Sequence, residues 1–109
     1  MLTKEFLKQI ETLYSECFNI VVNKNADYGG KDKPFKNFMN SLSVGVDPRS
    51  AILVRVMDKI SRISNLLDKE AEVQDEKISD TMKDAINYLA ILHVLDKHMK
   101  EADTFNFNI

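Results

Sequence analysis

Residues 75–100 read DEKISDTMKDAINYLAILHVLDKHMK, and this stretch decides the fold class. It contains no glycine and no proline, so nothing in it interrupts the hydrogen bonding of a helical backbone. Between Ala85 and Leu95 the apolar residues point almost all round a helical axis, and a helix of that kind is usually buried. We therefore predict a long helix from about Asp75 to about Lys100, covered by other helices. A polar turn at 71–74 precedes it.

The chain before this stretch predicts two further long helices. From Thr3 to about Lys24, apolar residues recur at intervals of three and four, which is the helical period. The second helix begins at Asp47-Pro48, because aspartate accepts from free amides at a helix start and proline suits the first helical position. Its apolar stripe predicts that it continues to about Lys69.

The region between these two helices predicts a loop and a short helix. Residues 25–34 contain two adjacent glycines, a proline and short polar side chains, a composition typical of turns. Phe35, Phe38, Met39 and Leu42 then predict one or two helical turns, which Gly45 ends. The fold class is accordingly all-α, with three long helices plus one short helix.

Length and composition limit the classes of protein that this chain can belong to. With 109 residues, of which 44% are hydrophobic, residues 1–109 predict a single domain. Three long helices leave apolar surface uncovered in a monomer, so we expect a homodimer or a higher homo-oligomer. A net charge of −2 disfavours direct binding to double-stranded nucleic acid. The single cysteine and the lack of a long apolar run favour a cytoplasmic protein with no membrane partner.

Four oxygen-bearing side chains form a row on the third predicted helix, which we call the acidic row: Glu76, Asp80, Asp84 and Asn87. At about 100° per residue they share one narrow arc of the helix. Such oxygens suit a hard cation, and Mg²⁺ is the natural candidate.

The second predicted helix offers groups that complement the acidic row. Asp58 is positioned to add a carboxylate, while Arg55, Lys59 and Arg62 are candidates for contacting a phosphate. The alternative is structural, since Arg55, Arg62 and Lys69 then pair with the acidic row as charges on adjacent helices often do. Spacing alone leaves both interpretations open.

Outside the acidic row, three further residues are considered as candidates for a functional site. Tyr28 is a candidate for stacking on a base, with Asp27 holding a ribose or an amino group, but a tyrosine that closes a turn over the core is an equal alternative. Cys17 lies on the apolar stripe of the first helix, where a small buried hydrophobic residue is the expected role. No feature supports nucleophilic catalysis.

Four separated elements of the sequence resemble one protein family. They read KNADYG at 24–29, NF at 37–38, RVMDKISR at 55–62 and DEKISDTMKDAINY at 75–88. Together they resemble the nucleotide modification associated domain family, which is common in bacteriophage genomes. That family is similar to the all-α nucleoside triphosphate pyrophosphohydrolases of the MazG and dimeric dUTPase group, whose acidic helices hold Mg²⁺ on a substrate triphosphate.

The resemblance implies a MazG-like helical bundle and a set of site residues. It implies a nucleotide as the small-molecule partner, hydrolysis that depends on Mg²⁺, and the cytoplasm of a phage-infected bacterium as the location. The implied residues are, for the metal, Asp58, Glu76, Asp80 and Asp84; for catalysis, Glu76 and Asp80; and for the nucleotide, Asp27, Tyr28, Lys59, Arg62 and Asn87.

The sequence departs from the pyrophosphohydrolase pattern in two respects. Those enzymes carry a Glu-x-x-Glu pair on one helix and a Glu-x-x-Asp pair on the next, whereas this chain has Arg55 three residues before Asp58. An arginine thus stands where a second carboxylate is expected, and Glu76 precedes Asp80 by four residues instead of three. The alternative function is a non-enzymatic phage accessory or host-interaction protein that keeps the helical scaffold.

Overall fold

The computed structural model describes residues 1–28, 33–69 and 72–107, with side chains described for 1–25, 33–69 and 77–102. Its elements are α1 (Thr3–Tyr28), a 3₁₀ helix (Phe38–Val44), α2 (Pro48–Leu67) and α3 (Glu72–Phe107). The described residues contain three long helices, one short helix and no strand. The all-α prediction is confirmed.

The helix boundaries differ from the predicted ones at four places. The predicted loop at 25–34 is wrong for its first four residues, because α1 continues to Tyr28. No glycine or proline precedes Gly29, so nothing in the sequence ends the helix earlier. The predicted turn at 71–74 is likewise part of α3 from Glu72 onward, and α3 ends at Phe107 instead of near Lys100. At the remaining boundary, α2 ends at Leu67, two residues before the predicted position.

The start of α2 follows from its cap. The Asp47 carboxylate accepts a hydrogen bond of 2.9 Å from the Arg49 amide, which satisfies one of the free donors of the first turn. Pro48 occupies the first helical position, where a missing amide hydrogen costs nothing. Just before this cap, Gly45 ends the 3₁₀ helix with a φ of 75°, a left-handed conformation that strains residues with a Cβ atom.

Helices α2 and α3 pack antiparallel and form the main interface. Arg49 at the start of α2 bonds to Asp96 late in α3, while Lys59 further along α2 meets Asp84 earlier in α3. Helix α1 packs against α3 on another side, where Lys83 pairs with Glu16 at 3.0 Å. Helix α3 therefore packs against both of the other long helices and is the central one, as its apolar sequence predicts.

The buried core lies between α2, α3 and the 3₁₀ helix. Its central cluster consists of Phe38, Ile52, Ile91 and Leu95. Five partly buried side chains pack around it: Phe35, Met39, Tyr88, Leu92 and Met99. In the described part of the chain, no helix is both long enough and apolar enough to cross a membrane.

A network of charges ties the start of α2 to α3. The Arg49 guanidinium lies 2.7 Å from Asp47 Oδ2 and 2.9 Å from Asp96 Oδ1, and Lys100 Nζ lies 2.8 Å from Asp96 Oδ2. Hydrogen bonds from Arg49 hold the pKa of Asp47 below its usual value. Lys100, followed by Arg49, does the same for the pKa of Asp96.

The charge network predicts how stability changes in acid. Carboxyls whose folded pKa is depressed stabilise the fold above their unfolded pKa of about 3.9, and this contribution disappears as the pH falls through the folded values. We expect the melting temperature of Arg49→Met to fall less than that of the parent when the pH is lowered from about 5 to about 2. Melting curves across this range test the prediction, with Arg62→Met as the control that keeps the parent's pH dependence. Identical slopes for the parent and Arg49→Met would contradict it.

Candidate functional site

One ion pair joins a candidate phosphate-binding cation of α2 to the acidic row of α3. Lys59 Nζ of α2 lies 3.1 Å from Asp84 Oδ2 of α3, and the two side chains are only 20% and 32% exposed. Antiparallel packing therefore brings together two of the candidate site residues. The partner of Asp84 is Lys59 and not one of the three cations considered in the structural alternative.

The other candidate charges on these helices lie on the surface. Asp58, Arg62 and Asp80 are exposed and form no ion pair with a described side chain. Asp58 is about 140° around α2 from the half-buried Ile63, so it points away from the contact with α3. Among the described residues, no three His, Cys, Asp or Glu side chains form a group that fits a metal ion. Glu76 is outside the described side chains.

Arg55 bridges two aromatic rings. Its guanidinium carbon lies 5.6 Å from the centroid of Phe38 and 5.8 Å from that of Tyr88. A planar, weakly hydrated cation is well suited to such faces. The resemblance leads one to expect a carboxylate at position 55. In this chain the residue there, Arg55 of α2, instead contacts one ring from the 3₁₀ helix and one from α3.

An apolar cavity of about 440 Å³ opens between α1, the segment around Phe35 and α3. None of the described residues that line it is charged, and four of them are aromatic: Tyr14, Phe18, Phe35 and Phe38. The size and the apolar lining are typical of small-molecule sites. Sequence reasoning missed this cavity. Its walls come from three elements, and the period of apolar residues along each element does not specify how the elements pack together.

Asn87 is the polar group buried in the cavity wall. Its side chain is only 7% exposed, and no described residue donates to it or accepts from it. Buried Thr81 on the same helix is different, since its hydroxyl donates to the Lys77 carbonyl oxygen at 2.8 Å. An unpaired buried amide costs about 1–3 kcal/mol. Such a group inside a cavity is a candidate for contacting a ligand.

Cys17 lies in the same wall and is buried, as its place on the apolar stripe predicts. Burial raises the pKa of its thiol, so the protonated form dominates near neutral pH. The residue packs as a small hydrophobic side chain and is poorly suited to act as a nucleophile.

The four sequence elements of the family resemblance converge around this cavity. Asn25, Phe38 and Asn87, one from each of three elements, line it. Arg55, from the fourth, holds the rings of Phe38 and Tyr88. Asp27 and Tyr28 belong to the first element, but their side chains lie outside the described residues.

Comparison with protein-family models, with curated proteins and with solved structures gives no match for this chain. The fold and the site define a class: a small all-α protein with an aromatic-lined cavity beside a charged interhelical seam. Its function has to be argued from the chemistry of that site.

Proposed function

We propose that this protein binds a nucleotide and, with Mg²⁺, hydrolyses its triphosphate in the cytoplasm of phage-infected bacteria. The observation that carries the proposal is that three of the four sequence elements supply the wall of one cavity, while Arg55 of the fourth contacts the ring of Phe38 in that wall. The buried amide of Asn87 lies in the same wall without a partner among the described residues. The tendency of these segments to form helices does not explain why separate elements line one cavity. It also does not explain why a polar group is buried in the wall of that cavity. A ligand site accounts for both features.

The nucleotide contacts that we propose extend from the cavity to the charged seam. Lys59 and the exposed Arg62 on α2 supply positive charge for phosphates, although Lys59 also neutralises Asp84. Asp27 and Tyr28 are proposed to contact the ribose and the base, and Asn87 the base.

The metal part of the proposal rests on the carboxylates that the resemblance assigns. Asp58, Glu76, Asp80 and Asp84 have the oxygen donors that Mg²⁺ prefers. Among the described residues, Asp84 is already paired with Lys59 and Asp58 points away from α3. Glu76 and Asp80 are therefore the members of the proposed set on which metal binding depends. When bound, the metal offsets phosphate charge and lowers the pKa of a water.

A screen of nucleoside triphosphates, with and without Mg²⁺, tests the enzymatic proposal through release of phosphate or pyrophosphate. We expect release that requires Mg²⁺ and that falls at least about 100-fold in Glu76→Gln, since a metal ion supplies several kcal/mol of transition-state stabilisation. Glu101→Gln, an exposed glutamate on the same helix, is the control and retains the parent rate. If no triphosphate is cleaved, the protein is not a hydrolase.

The Lys59–Asp84 pair favours a second candidate function. A charged seam that braces α2 against α3 fits a non-enzymatic phage accessory or host-interaction protein that keeps the helical scaffold. In this alternative the carboxylates of the acidic row stabilise the metal-free fold through ion pairs and do not form a cation-binding site.

Two matched substitutions separate a brace from a cation site in metal-free buffer. Asp84→Asn leaves the half-buried Lys59 ammonium without its partner, and we expect a loss of about 1–2 kcal/mol, between the values for exposed and buried pairs. Asp80→Asn should leave the melting temperature unchanged or raise it, because gathered carboxylates repel one another.

Adding Mg²⁺ with nucleotide completes this test. If the acidic row is a cation site, the ligands stabilise the parent more than Asp80→Asn. A clear loss of apo stability in Asp84→Asn, together with no effect of Mg²⁺ on the parent, would make the brace correct and remove the cation site.

We also propose that two or more copies associate through one face of the α2 and α3 pair, which we call the α2/α3 apolar face. It consists of five exposed large hydrophobic side chains: Leu53, Met57, Ile60, Met82 and Leu89. Leu53 and Leu89 line the same shallow groove, which places the two helices' contributions on one side. A second copy of this face buries apolar surface that three long helices leave uncovered.

A further inference from the structure

We infer that the apolar cavity is the site of an uncharged planar heterocycle, the base of the nucleotide, and that Asn87 determines which base is accepted. The inference rests on the proposed function in identifying the heterocycle as a nucleobase. It adds an orientation, in which the base lies inside the cavity and the phosphates remain outside it. It also adds a residue that determines specificity.

The lining explains why the base and not the phosphate enters. Moving an unpaired charge into apolar surroundings is very unfavourable, and no described residue that lines this cavity is charged. Two of the aromatic lining residues, Tyr14 and Phe18, are more than half exposed, and exposed aromatic rings are surfaces on which bases stack. The cations proposed to contact the phosphates, Lys59 and Arg62, lie on α2, which contributes no residue to the described wall.

Asn87 explains how one base is distinguished from another. Its amide offers a carbonyl acceptor and an NH₂ donor side by side, which matches a base edge with an adjacent donor and acceptor. Because the group is 7% exposed and has no partner among the described residues, a base that pairs with it removes an existing penalty. A base that presents the wrong pattern leaves the amide unpaired, and that difference is the source of discrimination.

The protein carries its own reporter for this site. Cys17 is the single cysteine of the chain, and it lines the cavity together with Asn87. Cys17 is buried and its pKa is raised, so it reacts slowly, and the assay uses a small thiol reagent at mildly alkaline pH. A ligand in the cavity should slow this modification further. The rate of modification is measured with each of four deoxynucleosides, and with inorganic triphosphate as the probe that lacks a base.

We expect at least one deoxynucleoside to protect Cys17 and inorganic triphosphate to give no protection. In Asn87→Leu the affinity for that nucleoside should fall at least about 10-fold, the equivalent of 1.4 kcal/mol. The melting temperature of Asn87→Leu should not fall, because a purely structural asparagine would lower it and an unpaired one does not. Asn65→Leu, an exposed asparagine of α2, is the control and binds as the parent does.

The remaining outcomes separate the inference from the proposed function. Triphosphate hydrolysis that is equally fast in Asn87→Leu and independent of the base would overturn the inference and leave the hydrolase standing. Nucleoside protection without any hydrolysis would support the inference and remove the enzymatic proposal. Protection that depends on protein concentration and not on nucleoside would show that a second copy closes the cavity, which also overturns the inference. The nucleoside arms use the parent protein and hold even if Asn87→Leu fails to fold.

Discussion

Leu95→Ala is expected to lower the free energy of unfolding by about 3–5 kcal/mol, the upper part of the range for a fully buried leucine. The Leu95 side chain is 0% exposed and belongs to the central cluster with Phe38, Ile52 and Ile91. Its removal loses both the transfer free energy of the side chain and the contacts around the cavity that remains. Since small domains are stable by only about 5–15 kcal/mol, this is a large share of the total.

Denaturant unfolding followed by far-UV circular dichroism measures the effect of Leu95→Ala. The matched control is Leu67→Ala at the end of α2, where the side chain is 66% exposed and the expected loss is below about 1 kcal/mol. Equal losses in the two variants would mean that the core is not where the structure places it.

A charge on the α2/α3 apolar face is expected to dissociate the protein. The parent should scatter light as a dimer or larger at micromolar concentration. Leu89→Glu should weaken association at least about 100-fold, because an unpaired carboxylate would have to be desolvated at the centre of the interface. Leu89 is 48% exposed in the single chain, so the substitution leaves the core of the subunit intact.

The control for self-association is Val44→Glu, which changes a side chain that is 76% exposed at the end of the 3₁₀ helix. It adds the same charge away from the proposed interface and should leave the mass of the assembly unchanged. A parent protein that stays monomeric at high concentration would refute the proposed association.

Local patterns predicted most of the helical framework. Asp47-Pro48 carries a complete start signal, and the structure places α2 at that position. The prediction failed where the sequence has no such signal. Helix α1 continues through Asn25 to Tyr28, and α3 begins at Glu72, inside a stretch that was predicted to be a turn because it is polar. Polarity alone does not end a helix, whereas glycine and proline do.

By itself, therefore, the sequence determined the fold class, the number of helices and the central place of α3, because these follow from backbone hydrogen bonding and from the period of apolar residues. Only the tertiary structure decided which charges meet and where a cavity opens. Lys59 and not Arg55 pairs with Asp84, and Arg55 lies between two aromatic rings. Asn87 looked like one more oxygen of the acidic row, yet packing buries it in an apolar wall without a partner among the described residues. Burial and pairing depend on how neighbouring helices rotate about their axes, and the pattern along a single helix carries no record of that rotation.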